Sequence, residues 1–311
     1  AEGEPIALDL KLAHFWPAAH AVEMELVPEW SKAISEATDG QITITSYPGE
    51  TLLKAAEIYD GIVTGVADIG ISCFAYTRGR FPLTEVFELP GVVYSNARVA
   101  AKVAWEGIKE LDPQEIADTE MMFVVATGPG DLFTKEPVER LEDIKGMEIR
   151  ATGLSAKTLE TIGAIPVAMP QSDTYESLQK GVVKGNLSPT ECLEGWRHAE
   201  VTEYLTFTPF LYNTLFFVTM NKDVWNSIPS DLQEKIKDMN ESFHEEVGMK
   251  VWDKINQSGL DFAVEEGMQL IELSAEEQAR WIAAVEPVQE DFVAEMDSKG
   301  LPGQEALETA K

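Results

Sequence analysis

Gly146-Met147-Glu148-Ile149-Arg150-Ala151-Thr152-Gly153 sets an arginine near the end of a short alternating run between two glycines. Alternation between turn residues predicts a strand, and residues 154–162 have helical spacing. A guanidinium at a strand's end, beside a helix N-terminus, can grip a carboxylate through two parallel hydrogen bonds. In so acidic a chain the competing reading is a surface arginine paired with one of many nearby acids. Other reactive residues are sparse. The four histidines (His14, His20, His198, His244) form no His-x-x-x-His pair, so no metal site is expected. His20 could donate a hydrogen bond to a ligand or simply begin a helix. Cys73 and Cys192 fall at expected strand ends and allow at most one disulfide. Either could be a nucleophile, but burial as a small side chain is the commoner fate. There is no Gly-x-Ser-x-Gly elbow and no phosphate loop, and Gly128-Pro129-Gly130 lacks dinucleotide spacing. An enzyme is not excluded, but nothing in these residues argues for one, and no cofactor or metal is expected.

Aromatic residues fall where a pocket would need walls. Phe15, Trp16, Phe74 and Tyr76 lie in loops after expected strands, and Phe210 and Tyr212 lie in a later return loop. Core packing is the ordinary reading of each. Six at mouth positions point to apolar pocket walls. One cationic clamp between such walls suits a small monocarboxylate better than a dicarboxylate or a polyhydroxylated acid.

The elements that would position these residues form two similar sets. Strands are expected at 6–13, 41–46 and 67–72, with helices at 21–37 and 52–64 between them. This alternation predicts an α/β unit with a mostly parallel sheet, whose ligands sit beyond the carboxyl ends of the strands. A helix is expected at 91–110. A second set runs through strands at the Arg150 segment, 166–169 and 184–188, with helices at 155–162 and 174–180. Tyr59, Gly65 and Ser72 recur as Tyr175, Gly181 and Ser188 at one constant offset, which suggests two related lobes facing one another. Apolar strands at 121–127 and 215–220 flank the second set and read as paired crossings, a hinge between lobes. Helices are expected at 230–255 and 275–299, the latter opened by Ser274 with Glu277 as a capping box. The tail after Leu301-Pro302-Gly303 reads as polar and frayed.

Composition narrows the function. Lys plus Arg is 24 against 54 for Asp plus Glu, so nucleic acid and anionic membrane surfaces are poor partners. No apolar run approaches the ~18 residues a membrane span needs. The start Ala1-Glu2-Gly3-Glu4-Pro5 looks like the end left by signal-peptide removal, so export to the periplasm is expected.

Leu141-Glu142-Asp143-Ile144-Lys145-Gly146-Met147-Glu148-Ile149-Arg150 resembles the "DLKG-K-IR" segment of the DctP-type periplasmic substrate-binding proteins of TRAP (tripartite ATP-independent periplasmic) transporters. The resemblance covers essentially the whole chain, through Phe87-Glu88-Leu89-Pro90, residues 181–189, Glu203-Tyr204-Leu205-Thr206 and Asn221-Lys222-Asp223-Val224-Trp225. It implies that Arg150 makes the salt bridge to a substrate carboxylate, and that Glu57 lies near the site. It implies an α/β two-lobed, periplasmic-binding-protein type II-like fold with a hinge and a long lobe-spanning helix. It also implies TRAP membrane permease subunits as partners. Lobe I is expected at 1–123 plus 216–250, and lobe II at 124–215 plus 251–311, in a monomer. Cys73, Thr152, Ser188, Pro189, Thr190 and Asn213 complete the expected site. The chain departs from the family where Ser188 replaces an asparagine that often touches ligand. A second arginine, often present in the segment matching 128–133, is missing, and so is a histidine near Pro209-Phe210. Fewer polar partners argue against sialic-acid-like and dicarboxylate ligands. The rival ligand is a non-carboxylate such as a diol or amine; the rival class is a Cys-dependent two-lobed enzyme.

Overall fold

The computed structural model describes residues 6–311, so the expected processed end at Ala1–Pro5 lies outside the described residues. Two sheets carry the architecture. The first runs in the order β2 (Ile42–Tyr47), β1 (Leu8–His14), β3 (Ile69–Cys73), β10 (Leu215–Asn221), β4 (Thr119–Ala126). The second runs β11 (Gln269–Ile271), β9 (Tyr204–Thr206), β5 (Asp131–Thr134), β8 (Gly185–Ser188), β6 (Glu148–Ala151), β7 (Ile165–Ala168).

The two sheets repeat one plan. β1 is parallel to β2 and β3, and β3 then meets an antiparallel strand, β10. Likewise β6 is parallel to β7 and β8, and β8 then meets antiparallel β5. The recurrence of Tyr59 and Ser72 as Tyr175 and Ser188 therefore has a structural counterpart. Each tyrosine lies on the helix before the sheet's third parallel strand, and each serine lies on that strand.

The hinge differs from the expected one. β4 and β10 pair with each other inside the first sheet rather than bridging the lobes. The crossings are the segments beyond them, 127–130 and 207–214, the latter turning at 209–211. They hold each other through Thr127 N–H to Thr214 O (3.0 Å), Gly130 N–H to Tyr212 O (3.0 Å) and Thr214 N–H to Thr127 Oγ1 (3.2 Å).

A continuous helical run joins the lobes: Ser230–Phe243, a π-helical turn at His244–Gly248, then Met249–Glu265. His244 Nε2 bonds the carbonyl of Val124 in β4 at the turn (2.7 Å). Met249, Val251 and Trp252 belong to the first lobe's core, and Ala263 to a second-lobe cluster. Pattern reading ended this helix at 255. The helix Ala275–Ser298 also straddles both units: Trp281 and Val285 lie in the second core, and Val288, Phe292 and Met296 in the first. Ser274 caps it through Glu277 N–H (3.2 Å), as its spacing predicts. The tail expected to fray is the helix Gly303–Ala310. Its Ala306, Leu307 and Ala310 are buried in the first core, and Tyr94 donates to Ala310 O. The expected lobe assignment placed 251–311 with the second sheet; these C-terminal side chains pack on the first. No helix among the described residues is long and apolar enough to cross a membrane.

Candidate ligand-binding site

Arg150 is the third residue of β6, between Asn186 of β8 and Val167 of β7. Gly146 (φ 74°) and Gly153 (φ 52°) take left-handed backbone that side chains rarely adopt, so the strand can enter and leave sharply. Position 153 also needs glycine for space, since a Cβ there would sit 2.9 Å from the Ala75 Cβ of the other lobe. Arg150 is 2% exposed. Its Nε donates to Met169 O (3.0 Å) and its Nη1 to Ser188 Oγ (3.1 Å). No carboxylate among the described residues lies within 4.0 Å of it. A buried charge is normally paired. Here, among the described residues, the guanidinium is braced by neutral oxygens.

A polar chain stands behind the brace. Ser188 donates to Asn186 Oδ1 (2.9 Å), and the Asn186 amide bonds His198 Nδ1 (3.1 Å). Burial, and secondarily Arg150, push the His198 pKa down to about 3, so it is a neutral acceptor that adds no competing cation.

Arg150 lines a small cavity between the lobes. Its walls come from the carboxyl ends of parallel strands, as such sheets dictate. Phe15 and Trp16 follow β1, Cys73 ends β3 and Tyr76 follows it, Thr152 follows β6, and Ser188 and Pro189 close β8. The aromatic wall is continuous. Phe15 stacks on Trp16 (4.0 Å between ring centres) and on Trp196 of the other lobe (6.0 Å), and Phe216 meets Trp16 edge-on at 5.0 Å. Tyr76 crosses the cleft, its hydroxyl accepting Gln171 N–H at 3.0 Å.

Of the residues expected from sequence, the cavity brings together Arg150, Phe15, Trp16, Cys73, Tyr76, Thr152, Ser188, Pro189 and Tyr212. Six others lie elsewhere. Phe74 packs inward on Phe81 and Phe217. Phe210 packs on Trp281 in the second core. Thr190 is spent on Asn256 O (2.9 Å) and Asn213 on Phe87 O (3.0 Å). Glu57 is exposed at the start of the helix Ile58–Val63. His20 is buried behind the wall, bonded to Glu191 across the lobes (Nε2 to Oε2, 2.9 Å).

The wall also holds Cys192, whose place at a strand end the sequence had marked, and residues outside the expected site: Thr127, Gln171, Glu191, Trp196, Thr214 and Phe216. One signal was available. Tyr212, Thr214 and Phe216 alternate along an extended segment, so the cavity face continues at every second residue. The two cysteines are both unpaired and both line the cavity. Burial, then the Glu88 charge for Cys73 and the Glu191 charge for Cys192, holds each thiol well above its usual pKa. That is the reverse of an activated nucleophile.

Two lobes closing on a small aromatic cavity with an unpaired guanidinium define a two-lobed solute-binding architecture. The chain belongs to the bacterial extracellular solute-binding protein family 7 (DctP), which matches residues 12–296. It is a solute-binding protein, not an enzyme. Among similar solved structures is a TRAP solute binding protein from Rhodoferax ferrireducens T118 in complex with copurified benzoate. Its TM-score is 0.91 at 28% identity, covering 98% of this chain and 96% of that one. Another, from an unidentified marine microbe and specific for aromatic acid ligands, holds 3-hydroxybenzoate (TM-score 0.92, 28% identity, 98% and 97% covered). A third, from Bordetella bronchiseptica, has bound (R)-mandelate and (S)-mandelate (TM-score 0.89, 26% identity, 97% of both chains).

Proposed function

We propose that this solute-binding protein captures a small organic monocarboxylate with an apolar or aromatic part, in the periplasm, and delivers it to a TRAP permease. The observation that carries the reading is Arg150. A guanidinium 2% exposed, with no carboxylate partner among the described residues and with aromatic walls around it, is suited to take an anion. Met169 O and Ser188 Oγ fix its plane, so little ordering remains to be done when the ligand arrives. Rings of Phe15, Trp16, Trp196 and Phe216 take the apolar part. Closure about 127–130 and 207–214 removes water and strengthens the ion pair. Three similar proteins hold benzoate, 3-hydroxybenzoate or mandelate, all aromatic monocarboxylates, which supports the same ligand class here.

A thermal-shift screen of the purified protein against aromatic and aliphatic monocarboxylates, dicarboxylates, sugar acids, diols and amines tests this. Aromatic monocarboxylates are expected to raise Tm by several degrees at saturating concentration. Shifts given only by uncharged diols or by amines would overturn the carboxylate assignment.

A further inference from the structure

The cavity contains an acid as well as a base. Glu191 lies on its wall and is 4% exposed. Arg150 and Glu191 are not paired: no contact within 4.0 Å joins them. Between them lie Ser188, Gln171 and Cys192. Gln171 Nε2 reaches both Ser188 Oγ (3.4 Å) and Cys192 Sγ (2.7 Å), and Cys192 donates to Glu191 Oε1 (3.1 Å). Two opposite charges are thus buried in one small space and held apart by neutral groups. Glu191 is also held in place. His20 of the other lobe bonds its Oε2 (2.9 Å), and Asn256 Oδ1 accepts its backbone N–H (3.2 Å). Gly195 makes room for the pair, since a Cβ there would lie 2.7 Å from His20 Nε2 and 2.9 Å from Glu191 Oε2.

We propose that Glu191 is a second recognition pole, and that the preferred ligand is an aromatic monocarboxylate that also carries a hydroxyl donor. This rests on the proposed function, with the ligand carboxylate on Arg150. Each carboxylate oxygen of Glu191 has one protein partner and a lone pair to spare. A ligand hydroxyl would donate there, and charge-assisted hydrogen bonds are the strong ones. An unsubstituted ring would offer no donor there and forgo that hydrogen bond. A second ligand carboxylate at this end would face Glu191 across a dry gap and be repelled.

Isothermal titration of the wild-type protein with benzoate, 3- and 4-hydroxybenzoate and their methyl ethers tests the pole without any mutation. At least one hydroxybenzoate is expected to bind about tenfold or more tighter than benzoate, with the gain lost in its methyl ether. In Glu191→Gln the hydroxyl preference, read as the ratio of hydroxybenzoate to benzoate affinity in that same variant, is expected to fall to within about threefold. Hydroxyl isomers that bind no better than benzoate in the wild type overturn the proposal. So does an undiminished preference in Glu191→Gln. Failure of the underlying reading looks different: no acid binds the wild type at all, or binding survives Arg150→Ala, and either result removes both.

Discussion

Glu88 sits where the second crossing enters β10, and it makes a pH-dependence that can be worked from the structure. It is 4% exposed, and its Oε1 accepts Leu215 N–H (2.7 Å) and the Thr214 hydroxyl (3.3 Å). Burial pushes its pKa from 4.5 up to about 8, against a smaller lowering by those hydrogen bonds. The folded protein therefore keeps this proton to higher pH than the unfolded chain does. The stability so gained is full below about pH 4.5 and is lost as pH rises towards 8. At about 1.4 kcal/mol per pKa unit, the whole span is on the order of 5 kcal/mol. Asp131, whose buried carboxyl accepts Thr208 N–H at the other end of the same crossing, is pushed up to about 7 and acts with the same sign. Glu88→Gln keeps a carbonyl oxygen for Leu215 and Thr214 but removes the titration. Urea unfolding followed by tryptophan fluorescence, at pH 5.5 and 8.5, measures the difference. The variant is expected to gain about 3 kcal/mol on the wild type between those two pH values, the titrating fraction of that span. A gap unchanged between the two pH values would refute the reasoning.

Two further outcomes follow from packing and burial. Gly259→Ala places a Cβ 2.0 Å from Thr190 O and 2.9 Å from Glu191 Cα, and neither backbone can move without disturbing the cavity wall. It is expected to cost about 1–3 kcal/mol in urea unfolding and to weaken benzoate binding in titration calorimetry. Cys73 and Cys192 are expected to react with iodoacetamide at least ~10-fold more slowly in the native protein than in urea, and more slowly again with benzoate bound. Mass spectrometry of the alkylated protein reads both.

The parts of the fold legible in the sequence were those set by local pattern. Alternation and turn glycines marked the Arg150 strand, and the repeated Tyr and Ser spacing marked two sheets of one plan. Side-chain direction was not legible wherever a strand passes into an irregular turn. Cys73 and Tyr76 face the cavity while Phe74 between them turns into the core with Phe81 and Phe217. In the crossing, Tyr212 and Thr214 face inward and Asn213 faces Phe87, a matter of strand register that residue type does not announce. Glu191 was hidden for another reason. In a chain with 54 acidic residues, one glutamate is read as solvated unless its partner His20, 171 positions away, is known to lie beside it. The C-terminal tail was misread because its small apolar residues, Ala306, Leu307 and Ala310, form a helical stripe too short to stand out from a polar background.

Arg150→Met in isothermal titration with benzoate tests the central claim most directly, with urea unfolding of the ligand-free proteins alongside. Removing one partner of a desolvated charge pair costs about 2–5 kcal/mol, or roughly 30- to 4,000-fold in affinity. Replacing an unpaired buried charge by an apolar side chain should leave the ligand-free protein as stable as the wild type or more so. Lost binding with unchanged or raised stability is the result predicted by a guanidinium held ready for the ligand's carboxylate. Wild-type affinity for benzoate in Arg150→Met would contradict it.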